Sequence, residues 1–135
     1  MAVGNKFNQF IADVYNGVHN FSTDVVKAYL TNTLPVAGNS VKADIAEIAA
    51  GNGYTAGGVT ISVTSSTQTG GTYSLVTGDA TITATGAIGP FRYVVFYNDT
   101  AASDNLIQWY DYGSEVTMAN ADTFTIDTTT LRTAS

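Results

Sequence analysis

No cysteine occurs in the 135 residues, so neither a disulfide framework nor a thiolate metal site holds this fold, and stability must come from packing or from oligomerisation. Basic side chains are scarce, five against eleven acidic ones. The resulting formal charge of −6 offers no field to neutralise phosphates, which argues against nucleic acid as a partner. No apolar run approaches the roughly 20 residues that a membrane helix needs. The N-terminal MAVGNKFNQFIADVY also has no basic region leading into an apolar signal core. The expectation is a chain made and used without secretion, with no membrane partner. Charged residues make up only 12%, and solubility falls instead to abundant threonine, serine, asparagine and glycine.

What is present is ordered. Hydrophobic residues reach 44% and recur in patterns, which excludes a disordered composition, and the length suits one domain, residues 1–135. Between Asn5 and Asn16 the apolar positions Phe7, Phe10, Ile11 and Val14, then Val18, recur at helical spacing, with Asn5 as N-cap and Gly17 as terminator. So short an amphipathic helix needs a surface to pack on, and that surface is open to belong to a neighbouring subunit. Residues 1–20 therefore read as a helical arm and 21–135 as a β-rich body. Asp24 to Asn32, DVVKAYLTN, reads as a strand, followed by a polar loop through Pro35 and Gly38. SVKADIAEIAAGNG admits a brief helix from Ser40 to Gly51 with Val41, Ile45 and Ile48 on one face.

From Gly58 onward, VTISVTSS, GTYSLVTG, DATITATG, PFRYVVFYN, NLIQWYDYG, SEVTM and DTFTIDT are candidate strands separated by turn signals. The fold class expected is mainly β: an antiparallel β-sandwich or small barrel behind a short N-terminal helix or arm. In PFRYVVFYN, Arg92, Val94 and Phe96 alternate with Tyr93, Val95 and Tyr97, so both faces carry large side chains, as in a central strand. NDTAASD joins it to NLIQWYDYG as a hairpin. Phe91, Phe96 and Trp109 read as core. Tyr93, Tyr97, Tyr110 and Tyr112 carry hydroxyls that need water or a partner and fit an interface as well as an interior.

The search for reactive groups assigns no catalytic, cofactor-binding or metal-ligating residue. His19, the single imidazole, has no nucleophile or acid at a motif spacing and reads as a surface or capping residue. Asp44 and Glu47 read as a solvated face. Gly51, Gly53, Gly57 and Gly58 depart from the dinucleotide-binding order and read as a loop that is flexible or has positive φ. Asn98, Asp99 and Asp104 lack the spacing of a calcium loop and suit turn chemistry. The glycosylation sequons at Asn20 and Asn98 read as turns as well.

Several stretches, in order, resemble a group of small tailed-bacteriophage virion proteins: KFNQFIADVYNGVHNF, DVVKAYLTNTLP, ADIAEIAAGNGYTAGG, IGPFRYVVFYND and WYDYG. The resemblance implies a capsid decoration, or cement, protein on the outside of the head shell. It would be made in the bacterial host cytoplasm and bridge subunits of the major capsid protein as a homo-oligomer, a trimer favoured. The rival is a tail or tail-fibre component with an adsorption role. On the decoration reading, the expected contacts are Phe7, Phe10, Ile11 and Val14 of the arm with Tyr93, Tyr97, Tyr110 and Tyr112 of the hairpin.

Overall fold

A computed structural model describes residues 4–128 and 130–134. It is mainly antiparallel β, a sandwich-like fold with one short helix near the N-terminus. Its strands are β1 (Asn5–Lys6), β2 (Val26–Thr31), β3 (Val59–Ile61), β4 (Val63–Thr69), β5 (Thr72–Thr77), β6 (Ala80–Thr83), β7 (Ile88–Asn98), β8 (Leu106–Met118), β9 (Thr123–Ile126) and β10 (Thr130–Ala134); helix α1 is Gln9–Tyr15. They form a five-stranded sheet in the order β1-β8-β7-β2-β3, a three-stranded sheet β10-β5-β4 and a ribbon β6-β9.

The central place predicted for PFRYVVFYN is observed, because β7 lies between β8 and β2 and both of its faces are covered. On one face Val94 and Phe96 stand opposite Tyr110 and Gln108 of β8, with Phe96 and Tyr110 meeting edge to face at 5.5 Å. Strand β9 closes over this side, where Phe124 touches Phe91 at 5.0 Å and Tyr112 at 5.5 Å. On the other face Tyr29, Val95, Tyr97 and Trp109 are covered by the N-terminal segment and by the chain between β2 and β3. Leu75, Ile82, Ile126 and Leu131 bring the remaining strands into the same hydrophobic cluster as Tyr29 and Phe96. One shared core thus binds the sheets together, as apolar sheet faces require.

Three local expectations are corrected. NLIQWYDYG and SEVTM are one strand, β8, because Gly113 adopts φ +103° inside it instead of ending it. VTISVTSS divides into β3 and β4. Residues 40–51 form no helix beyond a single turn at Lys42–Asp44: the Asp44 carboxylate accepts the Ser40 and Val41 N–H groups, and Ile45 leaves that turn in extended conformation.

The N-terminal segment is not a free arm. Residues 1–3 lie outside the described residues; Asn5 is no N-cap but a strand residue paired with Trp109, and Phe7 packs on the Trp109 ring at 4.7 Å. The helix begins after Asn8, whose N–H donates to the Ala37 carbonyl, and it ends as read, with Gly17 at φ +79° donating to the Val14 carbonyl. Asp13 faces inward and accepts from Gln9 and, at 3.1 Å, from Asn105 beyond the β7–β8 turn. The chain's own body therefore supplies the surface that so short a helix needs.

Candidate functional site

Two places gather polar groups within apolar surroundings. The first is a lock on the glycine loop at residues 51–58. Gly51, Gly53, Gly57 and Gly58 all have positive φ, so of the two readings of this loop the φ-positive one is observed. At Gly58 a Cβ would lie 1.9 Å from the Ala28 carbonyl oxygen, so the backbone touches β2 where only glycine fits. Glu47 holds the loop there: its carboxylate accepts the Tyr54 hydroxyl at 2.6 Å, the Gly57 N–H at 2.8 Å and Lys42 Nζ at 3.1 Å. Tyr54 in turn accepts the Leu30 N–H, and the Tyr97 hydroxyl donates to the Gly57 carbonyl at 2.6 Å. Burial, and then the hydrogen bond to Glu47, pushes the Tyr54 hydroxyl far above the ordinary phenol range; burial does the same for Tyr29 and Tyr97. These phenols stay protonated, and their donors are committed to backbone and to Glu47. The Glu47 carboxylate, read from the sequence as part of a solvated face, is instead the pin of this loop.

The second place is the outer surface of α1. Phe10 and Asp13 are buried, whereas Ile11, Val14 and Tyr15 are exposed, Tyr15 at 84%. The single apolar stripe expected from spacing is thus split. Its inner part anchors the helix, and its outer part borders a groove of about 670 Å³ between α1, the 17–22 turn and the β4–β5 hairpin. The groove lining holds neither lysine, arginine, aspartate nor glutamate.

Beneath the groove His19 is buried, stacked between Phe10 at 5.1 Å and Phe21 at 5.2 Å, which corrects the surface reading. Asn98 fixes its protonation pattern. The Asn98 Oδ1 accepts the Thr100 and Ala101 N–H groups, so its Nδ2 donates, to Asp24 at 2.7 Å and to His19 Nδ1 at 3.0 Å. The neutral ring then carries its proton on Nε2, which has no hydrogen-bond partner among the described residues. Burial lowers the His19 pKa from its ordinary value, while Asp13 and Asp24 pull the other way.

The eight expected contact residues divide sharply. Phe7, Phe10, Tyr93, Tyr97 and Tyr110 are buried within the chain, so they present no broad surface to a partner; for the three tyrosines the interior alternative is the one realised, and the two phenylalanines pack on the chain's own body. Ile11, Val14 and Tyr112 are exposed, and Tyr15, which spacing passed over, is among the described residues the most exposed large apolar side chain. Asn98 and Asp104 serve the β7–β8 turn as predicted, Asp99 pairs with Lys27 at 3.6 Å, and the Asn20 sequon is a turn in which Asn20 Oδ1 accepts the Ser22 N–H. Among the described residues no group of three or more His, Asp or Glu side chains is placed to hold a metal ion, and no helix is long and apolar enough to cross a membrane.

No protein-family model, curated protein or solved structure matches the chain.

Proposed function

We propose that this chain is a structural protein of a phage virion, a decoration protein that binds the outside of the capsid shell and bridges major capsid subunits as an oligomer, a trimer favoured. The observation that carries the reading is the outer face of α1: Ile11, Val14 and Tyr15 stand exposed on a helix that the body holds firmly from the other side. An apolar face on a rigid mount suits burial against a neighbour better than it suits water. The ordered likeness of five stretches to small virion proteins supports a capsid subunit as that neighbour. The polar interior supports the same reading, since Glu47, Tyr54 and Tyr97 are spent on holding a loop.

Immunogold labelling of intact virions with antibody to this chain tests the location. Gold over the whole head is the expected result; gold confined to the tail, or labelling of neither, overturns it. Removing the N-terminal segment is a poor probe of the contact, because β1 and α1 belong to the fold. The paired substitution Ile11→Ser with Tyr15→Ser is the better one, with co-sedimentation of the folded variant with shells expected to fall to background.

The tail-component reading draws on one observation of its own, the Tyr112 ring midway along β8, which is 58% exposed and available to a surface ligand.

A further inference from the structure

Tyr112 stands at the mouth of a cleft of about 340 Å³ between β8 and β9, at the small end of the roughly 300–1,000 Å³ range of ligand pockets. Tyr110 and Val94 lie in its lining, and Phe124 flanks the Tyr112 ring at 5.5 Å. Two carboxylates complete the lining. Asp111 is occupied: Arg92 donates to both of its oxygens, at 2.8 and 3.1 Å, and the Gly113 N–H adds a third bond. Asp127 is exposed and has neither a hydrogen bond nor an ion pair among the described residues. Among the described residues the lining contains no basic side chain, and Arg92 beside it offsets one of the two negative charges, leaving Asp127 unbalanced.

We infer that this cleft receives the basic side chain, lysine or arginine, of a partner protein, with Tyr112 and Phe124 as aromatic walls and Asp127 as counter-ion. Three features select this occupant. Aromatic rings attract a cation through their negative faces, and the attraction grows when an unpaired carboxylate stands beside them. An anion would find no positively charged group among the described lining residues. A sugar needs several hydrogen-bonding groups, yet the one non-tyrosine hydroxyl present, on Thr125, already lies 3.2 Å from the Thr81 hydroxyl. The acidic balance of the chain as a whole, eleven acidic residues against five basic, favours approach of the same kind of partner.

The test is a heteronuclear NMR titration of the intact protein with Nα-acetyl-lysine methylamide, Nα-acetyl-arginine methylamide, the neutral isostere Nα-acetyl-norleucine methylamide, butylammonium and methyl glucoside. Saturable shifts at Tyr112, Phe124 and Asp127 are expected with one or both basic analogues, at least about fivefold tighter than with norleucine. Asp127→Asn and Tyr112→Ala, both at exposed positions, should each weaken binding about fivefold, and raised salt should weaken it further. Equal binding of norleucine, preference for the glucoside, indifference to Asp127→Asn, or no shift at all overturns the inference. Butylammonium matching the backbone-bearing analogues also overturns it, by assigning the cleft to a free amine.

Discussion

The glycine-loop lock and the α1 junction are built from the same materials, aromatic rings around a few polar groups, and they close differently. At the lock, Glu47 accepts three donors, Tyr54 both donates and accepts, and the loop backbone is drawn into the network. At the junction, Asn98 satisfies His19 on one side only, and the Nε2 proton sits in an apolar stack with no acceptor among the described residues. A closed network fixes one conformation. An open one leaves a place where the fold responds to its surroundings, because an unmet donor contributes nothing to holding the helix down.

The largest effect is expected at Gly58. Gly58→Ala forces a Cβ against the Ala28 carbonyl at a φ of +84°, and the expected loss is about 4 kcal/mol, seen as a large drop in the urea midpoint or as failure to accumulate folded protein. A variant with wild-type stability would show that the loop does not rest on β2. Next comes Tyr54→Phe, which leaves the buried Leu30 N–H without its acceptor and removes a donor from Glu47; about 2 kcal/mol should be lost in equilibrium unfolding.

The junction answers through pH. Because the folded His19 pKa lies below the ordinary 6.5, the unfolded chain takes up this proton first as pH falls. The contribution to stability is therefore complete above 6.5 and declines as pH drops from 6.5 toward the lower folded value. Protonating Nδ1 also sets two donors face to face with Asn98. In His19→Phe this component of the pH dependence should vanish, and the difference between variant and wild-type unfolding curves from pH 7.5 to 5 measures it; parallel curves would remove His19 from the account. The smallest effect is expected at Tyr15→Ser, within about 0.5 kcal/mol of wild type by thermal unfolding, since so exposed a ring supports little of the fold.

Much of the architecture is legible in the sequence where the signal is local. Strand β7 declares its central place by being apolar on both faces, and the four loop glycines declare their positive φ by clustering. What escapes is set by distant partners. Two residues of β1 carry no periodicity, and their strand exists because Trp109 and Gln108 lie opposite. Strand β10 follows the last strand read from pattern and owes its place to β5, more than fifty residues earlier. Glu47 looks solvated until Tyr54 and Gly57 fold back on it. His19 looks like a surface residue until Phe10 and Phe21 close around it, although Val18 and Phe21 beside it were a usable hint of burial. The same limit divides the tyrosines: alternation places them on faces correctly, but only the covering of both faces decides that Tyr97 is interior and Tyr112 is not.

The pairing of Asn5 with Trp109 has a consequence for biosynthesis. At ribosomal speeds of about 5 to 20 residues per second, roughly 5 to 20 seconds separate the appearance of β1 from that of the strand it joins. Throughout that interval Phe7 lacks the indole it will rest on, and so much long-range pairing makes folding slow by its nature. The segment around Phe7 waits for a partner made 104 residues later, and through that interval its apolar residues need protection from aggregation.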